Sequence, residues 1–188
     1  MLRILRRLSG RGLSSGNGHL ITLQGFFMSE KPLSDIKFIL DVHLGKLAKS
    51  LRLFGFDAFF DTNFSDVEIV RYSLSDDRII LTRDKELLLR KDAINGCRIM
   101  SQRPDEQLKE VFRKYDLTNR INPFTRCREC NSLLEGVPKE EIIQRLNPRT
   151  REYYNNFKKC TLCDRIYWEG SHYERMRKYI DSVIKDVN

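Results

Sequence analysis

The sequence predicts an α/β fold with a mostly parallel sheet and flanking helices, followed by a small C-terminal module that contains a helical insertion. Between residues 35 and 120, short apolar segments alternate with segments of helical spacing. Such alternation requires crossover connections between parallel strands. Two Cys-x-x-Cys pairs then follow, Cys127/Cys130 and Cys160/Cys163. The chain is therefore expected to hold one α/β domain and one cysteine-bearing module.

Four segments have the composition of buried strands, and a helical pattern follows each of them. The predicted strands are Ile36–Leu40, Phe56–Phe60, Arg78–Thr82 and Cys97–Met100. Gly55 supplies the left-handed residue that ends the first helix, and Ser65 with Glu68 is a capping box that begins the second. The predicted helices cover residues 44–51, 65–74, 87–89 and 104–115.

Acidic side chains follow three of the predicted strands, at the end where parallel sheets bind ligands. Carboxylates crowded into one region repel one another unless a cation neutralises them. Oxygen ligands of this kind suit Mg(II) or Mn(II). Local roles are the alternative: helix N-caps, half of a capping box, or a turn. The acids at or just past strand ends are Asp41, Asp61 and Asp84, and those in the first turn of the intervening helix are Asp66 and Glu68.

The two cysteine pairs have the spacing of the knuckles of a zinc ribbon. Four thiolates in this arrangement can surround one Zn(II) tetrahedrally. Nothing in the sequence resembles a secretory signal, which argues against disulfides. The segment between the pairs predicts a helix over Pro138–Leu146 and a polar loop through Tyr154. The fifth cysteine, Cys97, lies in a predicted strand and is expected in the core.

Basic residues give the chain a net charge of +8, which favours a polyanionic partner. Around the cysteines, aromatic residues are interleaved with basic ones, a pattern that fits nucleic-acid contact. The alternative is that the aromatics only pack the module onto the first domain. The candidate nucleic-acid contacts are Arg126, Arg128, Lys158 and Lys159, together with Lys46 and Arg83 near the predicted strand ends.

Residues 1–34 form a basic leader with no acidic residue before Glu30. This composition is typical of a mitochondrial or plastid transit peptide. A disordered basic leader that touches RNA or nothing is the alternative, and a cytoplasmic location is then expected. No apolar stretch approaches the roughly 18 residues of a membrane span, so no membrane partner is expected.

Several motifs resemble the Mut-seven C-terminal RNase-domain family. They occur in the family's order over residues 37–180: Phe38–Asp41, Leu47–Asp57, Ile79–Asp84, Arg126–Asn131 and Tyr167–Tyr173. The resemblance implies a PIN-like nuclease domain over residues 35–120, a zinc ribbon over 121–172 and a helix over 173–188. It also implies divalent-metal-dependent ribonuclease activity.

The resemblance further implies which acids hold the catalytic metal. Asp41 matches the first-strand Asp of PIN-like nucleases, and Asp84 matches the acid of their Thr-x-Asp motif. The acid between them falls at Asp66 or Glu68, and Asp61 has no firm counterpart. Some PIN-like domains bind RNA without cutting it, so a non-catalytic RNA- or ribosome-binding protein stays open, as does a DNA substrate.

Overall fold

A four-stranded, fully parallel sheet forms the centre of the α/β part of the chain. The computed structural model describes residues 36–188, so the predicted leader over residues 1–34 lies outside the described residues. The spatial order of the strands is β2-β1-β3-β4. The predicted α/β class with a parallel sheet is therefore confirmed. The strands are β1 (Lys37–Leu40), β2 (Asp57–Phe59), β3 (Ile79–Thr82) and β4 (Gly96–Arg98).

Helices cover both faces of this sheet, which explains why the strands are almost continuously apolar. Phe38, Leu40 and Leu81 belong to the core formed with α1 and α4, while Ile39 and Ile80 pack with α2 and α3 on the opposite face. The four helices are α1 (Gly45–Leu53), α2 (Asp66–Asp76), α3 (Lys85–Leu89) and α4 (Pro104–Tyr115).

Two predicted helix boundaries are confirmed by their hydrogen bonds and dihedral angles. The Ser65 side chain accepts from the Glu68 backbone N–H, and the Glu68 carboxylate accepts from the Ser65 N–H, which completes the capping box. Gly55 has φ of 95°, a conformation that favours glycine. A Cβ at this position would also overlap the backbone carbonyl of Asn122. Gly55 thus turns the chain and lets the following segment approach α1.

The cysteine module is built on a three-stranded antiparallel sheet of order β5-β6-β7. Its strands are β5 (Leu134–Val137), β6 (Phe157–Cys160) and β7 (Ile166–Trp168). The predicted helical insertion is present as α5 (Lys139–Ile142) and a 3-10 turn over Ile143–Arg145.

The polar loop predicted through Tyr154 is wrong, because a short helix, α6 (Pro148–Tyr153), occupies this stretch. The Asn147 side chain accepts from the Thr150 N–H at its start. Proline at the first helical position after an asparagine cap is a helix-start signal. The sequence contains this helix-start signal, but the polar composition of the segment favours the prediction of a loop.

The C-terminal helix, α7 (Ser171–Val187), returns the chain to the α/β core. Ile180 and Val183 are buried in the same core as Phe38 and Leu40. Cys97 is buried there too, as expected. The cysteine module is therefore bounded at both ends by segments that pack into the α/β core. Within residues 36–188, no helix combines the length and apolar composition that crossing a bilayer would require.

Candidate functional site

Asp41 and Asp84 lie beyond the carboxyl ends of the adjacent strands β1 and β3. The strand order reverses between these two strands, because one crossover leads from β1 outward to β2 and the next leads from β2 back past β1 to β3. In parallel α/β sheets, ligands bind in the crevice at such a switch point. The fold therefore places two of the predicted acids where this architecture binds ligands.

A buried threonine links the two acids. The Thr82 hydroxyl donates to a carboxylate oxygen of Asp41 over 2.7 Å and accepts from the backbone N–H of Asp84 over 2.9 Å. Asp41 is 6% exposed and Thr82 is fully buried, whereas Asp84 is exposed. Sequence reasoning included Thr82 only as part of a motif. Its signal was its place at the end of a strand, two residues before an aspartate.

Of these two acids, only Asp84 has the local role of a helix cap. The Asp84 carboxylate accepts from the Glu86 backbone N–H over 2.8 Å and therefore caps α3. The Asp41 carboxylate makes no capping hydrogen bond to the 3-10 turn that follows it. Within residues 36–188, the Thr82 hydroxyl is the side-chain partner of Asp41, and no cationic group pairs with it. Asp41 is thus a buried acid without a local structural role as a cap.

The remaining predicted acids do not join this pair. The Glu68 carboxylate accepts from the Ser65 backbone N–H and hydroxyl, and these bonds hold the pKa of Glu68 below its ordinary value. Asp66 is exposed in the first turn of α2. Asp61 accepts from the Asn63 N–H in a turn, which was its local alternative. Across residues 36–188, no group of three acidic side chains is placed to hold a metal ion as the four cysteines are.

The four predicted metal-ligating cysteines form one cluster. Their sulfur atoms all lie within 4.8 Å of one another, with 3.5 Å between Cys127 and Cys163 and 3.2 Å between Cys130 and Cys160. A tetrahedral ion with Zn–S bonds of about 2.3 Å would separate its sulfurs by about 3.8 Å. The donor set therefore fits one four-coordinate metal ion such as zinc.

Backbone and side-chain donors surround these sulfurs. The N–H groups of Leu162 and Cys163 both point at the Cys160 sulfur, each over 3.4 Å. Burial alone would raise the pKa of Cys160, but these N–H groups favour the thiolate and lower the pKa to about 6. The Tyr167 hydroxyl lies 3.0 Å from the Cys127 sulfur. Cys160 is thus favoured as a thiolate, the form that binds metals, whereas burial raises the pKa of Cys130 and Cys163.

One buried arginine fastens the cysteine module to the α/β domain. Arg52, near the end of α1, is 2% exposed. Its guanidinium donates to the backbone carbonyls of Arg128 and Glu129 over 3.1 and 2.7 Å, and to the carbonyl of Ala58 over 2.9 Å. Arg128 and Glu129 are the two residues between the first pair of cysteines. Arg52 therefore ties that turn to the edge strand β2.

Asn131 completes this junction by pairing with the free edge of β2. Its side-chain oxygen accepts from the Ala58 N–H over 3.0 Å, and its side-chain nitrogen donates to Asp57 over 2.8 Å. An uncovered edge strand presents unpaired backbone groups that invite association. The cysteine module covers this edge of the sheet, so the two parts of the molecule share hydrogen bonds that neither makes alone.

Asp57 is the ionic centre of the junction. Its carboxylate lies 2.6 Å from Arg78 and 3.5 Å from Arg126. Burial alone would raise the pKa of Asp57, but the hydrogen bonds from Arg78 and Asn131 outweigh it and hold the pKa below its ordinary value. The charged form of Asp57 is therefore part of what holds the folded state together.

We expect Asp57→Asn to lower the free energy of unfolding at neutral pH by about 2 kcal/mol. The reason is that the positive charges of Arg78 and Arg126 then lose the negative charge of the Asp57 carboxylate. A carboxyl whose folded pKa is depressed contributes stability above its unfolded pKa, and this contribution is lost as the pH falls through the folded pKa. The wild type should therefore lose more stability than the variant below about pH 4. Urea unfolding at neutral and acid pH measures both effects.

Asp116→Asn is the matched control for this experiment. Asp116 is exposed and left-handed, with φ of 48°, and asparagine tolerates that conformation well. This variant should behave like the wild type at every pH. Equal acid sensitivity of the wild type and Asp57→Asn would show that Asp57 is not the group responsible.

The predicted nucleic-acid contacts fall into two groups. Three are already engaged: Arg126 with Asp57 and the Asn131 carbonyl, Lys158 with the Phe124 carbonyl, and Lys159 with Asp164. The others form no salt bridge within residues 36–188. Lys46 and Arg83 are exposed near the acidic edge, and Arg128 lies on the cysteine module. The three unpaired cations are the ones free to meet a phosphate.

Comparison with known protein families decides the membership of this chain. A family model described as the Mut7-C RNAse domain matches residues 36–180. The chain belongs to this family. The Mut7-C match extends through all seven strands and into α7, and it confirms the family that the motifs resemble. No curated protein and no solved structure matches the chain.

Membership in the Mut7-C family points to nuclease function and hence to nucleic-acid binding. The four clustered cysteines add a metal-binding capacity to this Mut7-C chain. Neither finding concerns the predicted roles of the individual acids and basic residues, which stay predictions.

Proposed function

We propose that this Mut7-C chain is a divalent-metal-dependent ribonuclease of PIN-like type, with its centre at Asp41 and Asp84. The observation that carries the proposal is the pair of acids linked through Thr82 at the switch point between β1 and β3. A buried aspartate without a cationic partner is costly for folding. Its presence at the ligand-binding edge of an RNase-family domain supports a catalytic role.

The donor set of this edge fits Mg(II) or Mn(II). One oxygen of Asp41 accepts from Thr82 and one oxygen of Asp84 accepts from Glu86, so each carboxylate keeps an oxygen for a metal. A third acidic ligand would have to move toward this pair, and Asp66 is freer to do so than Glu68, whose carboxylate is engaged by Ser65. When bound, such an ion lowers the pKa of a water ligand and offsets charge that develops on the phosphate.

The protein's own groups at this edge orient the acids and attract the substrate. Thr82 fixes the direction of the Asp41 carboxylate through a hydrogen bond from a buried position. Lys46 lies in the first turn of α1 and Arg83 lies between β3 and α3, and both side chains are exposed. We propose that these two cations hold phosphates of the RNA beside the acids, because charge-assisted contacts with phosphate are strong.

We propose that the cysteine module is a zinc ribbon in which Zn(II) has a structural role. Support comes from the four converging sulfurs and the backbone N–H groups that point at Cys160. Cys127, Cys130, Cys160 and Cys163 would fill all four ligand positions, as in structural rather than catalytic zinc sites.

We expect Asp84→Asn to lower the rate of RNA cleavage at least about 100-fold while leaving the fold intact. Asparagine still caps α3, because it accepts the same backbone hydrogen bond, but it removes a negative charge that the metal requires. The measurement is cleavage of a labelled single-stranded RNA with Mg(II) or Mn(II), in the presence and absence of a chelator. Asp116→Asn, the same change at the other end of the sheet, should cleave normally. Cleavage that survives Asp84→Asn or the chelator contradicts the proposal.

A second function, RNA binding without cleavage, is favoured by one observation. No three carboxylates within residues 36–188 meet around a common point. This function predicts salt-sensitive RNA binding that Asp84→Asn leaves unchanged, with no turnover in either metal. A matched DNA oligonucleotide in the same cleavage assay separates a ribonuclease from a nuclease that accepts both backbones, since only RNA carries the 2′-hydroxyl.

A further inference from the structure

We propose that a cleft on the cysteine module binds single-stranded RNA by stacking bases against Trp168, away from Asp41 and Asp84. The choice of RNA as the ligand rests on the proposed function. The aromatic cleft is defined by six residues that come from the start of the module, from β7 and from α7: Phe124, Arg128, Tyr167, Trp168, Tyr173 and Met176.

Trp168 lines two neighbouring cavities of about 390 and 640 Å³. Both cavities are also lined by Tyr167, Tyr173 and Met176. Their volumes are within the range of about 300–1,000 Å³ that is usual for small-molecule sites. The Trp168 side chain is 37% exposed, so a planar ligand can reach it. Aromatic faces accept any base, because every base has a π-face that can stack.

The backbone at Phe124 is held in a conformation that aromatic residues rarely adopt. Phe124 has φ of 58°, and its N–H donates to the Leu53 carbonyl while its own carbonyl accepts from Lys158. Its ring lies 4.3 Å from the Tyr173 ring, centroid to centroid. A bulky residue in the left-handed region costs free energy and persists where the surrounding structure fixes it, often at functional sites. The strained turn presents an aromatic pair along one wall of the cleft.

Arg128 supplies a cation that forms no salt bridge within residues 36–188, although the carboxylate of the neighbouring Glu129 attracts it. Its Nε is buried and has no hydrogen-bond partner within residues 36–188, and one terminal nitrogen donates to the Met176 sulfur over 3.3 Å. A thioether is a weak acceptor, and an unsatisfied buried donor is destabilising. A third cavity of about 340 Å³ is lined by Arg128, Arg165 and His172, and also by the carboxylate-bearing Glu129. A phosphate group of an RNA strand that enters these cavities would meet Arg128, which lines two of them.

The aromatic cleft and the acidic pair lie toward opposite ends of the parallel sheet. Helix α1 leaves the carboxyl edge near Asp41 and ends at Leu53, which lines the cleft. Its nine residues span about 13 Å at the usual helical rise. RNA held in the cleft is therefore bound remotely from the reacting phosphate. Remote binding of this kind lowers KM and leaves kcat unchanged.

Trp168 is the only tryptophan in the chain, so intrinsic fluorescence reports on the cleft directly. The probe is a fluorescein-labelled single-stranded oligouridine, added to the uncleaving Asp41→Asn protein. In a first titration, unlabelled oligouridine should quench the tryptophan emission of the protein. In a second titration, the fluorescence anisotropy of the labelled oligouridine should rise over the same range of concentrations. Trp168→Leu should weaken RNA binding about 10-fold or more. Trp168→Phe, which keeps an aromatic ring, should retain most of the affinity of its parent. A duplex of the same length should bind more weakly, because its bases are already stacked.

Arg128→Gln should weaken binding and reduce the slope of log affinity against log salt by about 1. Arg113→Gln, an exposed arginine on α4 outside the cleft, is the control and should keep the wild-type slope. Circular dichroism and metal content are measured on every variant. Wild-type values exclude unfolding of the cysteine module as the cause of weaker RNA binding. Emission that RNA does not change, Trp168→Leu binding as tightly as its parent, or equal binding of duplex RNA would each overturn the proposal.

Failure of this inference is distinguishable from failure of the proposed function. In the cleaving wild-type background, Trp168→Leu should raise KM at constant kcat. If the wild type cleaves and Trp168→Leu changes neither KM nor kcat, RNA binding at the aromatic cleft is refuted and the proposed ribonuclease activity is supported. If the wild type does not cleave but Trp168→Leu still weakens RNA binding, the cleft stands and the catalytic proposal is refuted.

Discussion

Replacing Cys127 with serine, or removing the metal with a strong chelator, is expected to unfold the cysteine module. Structural zinc supplies about 10–16 kcal/mol of apparent binding free energy in small zinc domains, which is then folding free energy. The module has a small buried core of Ile142, Leu146 and Phe157, too little to replace a contribution of that size. This is the largest effect on stability that the structure predicts.

The loss should also reach the parallel sheet through the shared junction. Once the turn between Cys127 and Cys130 unfolds, Arg52 loses two backbone carbonyls and Asn131 no longer accepts from Ala58. The amide of Ala58 is therefore a specific reporter. Hydrogen exchange should show strong protection of Ala58 in the metal-bound wild type and loss of that protection after chelation, before the amides of β1 and β3 exchange.

Cys97→Ala is the matched control for the cysteine prediction. Cys97 is buried in the α/β core and lies outside the cluster of four, so its replacement should leave metal content and Ala58 protection unchanged. Full metal content and a protected Ala58 amide in Cys127→Ser would contradict the proposed structural zinc site.

Asp41→Asn is expected to abolish RNA cleavage, by at least about 1,000-fold, without lowering stability. Asparagine has the shape of aspartate and can still accept from the Thr82 hydroxyl. It removes a buried charge that no cationic group offsets within residues 36–188, so the free energy of unfolding should stay the same or rise. A residue that costs stability and supplies activity in this way is typical of a functional site.

The two readouts must be taken on the same protein samples. Cleavage of labelled single-stranded RNA is compared with urea unfolding for the wild type, Asp41→Asn and Asp61→Asn. Asp61 is an exposed turn residue near the same edge of the sheet, and its replacement should preserve both cleavage and stability. A strongly destabilised Asp41→Asn protein that still cleaves would mean that Asp41 is structural.

Local signals in the sequence determined most of the parallel sheet and the cysteine cluster. Apolar segments, the Ser65 capping box and the left-handed Gly55 act over a few residues, so a sequence pattern contains all the information they need. The two Cys-x-x-Cys pairs are also local, and a metal requires only that they converge. Helix α6 was missed although its signal was local, because polar residues suit loops and exposed helices equally.

Tertiary structure alone decided which of these side chains meet. Arg52 donates to Glu129 across 77 positions in sequence, and Thr82 reaches Asp41 across 41; no periodicity encodes such pairs. The fold also engaged Arg126 in an ion pair, whereas Arg128 forms no salt bridge within residues 36–188, although the two arginines flank the same cysteine. The physical reason is that chemistry depends on the direction and burial of a side chain, and both follow from strand order, crossovers and the docking of one part of the chain on another.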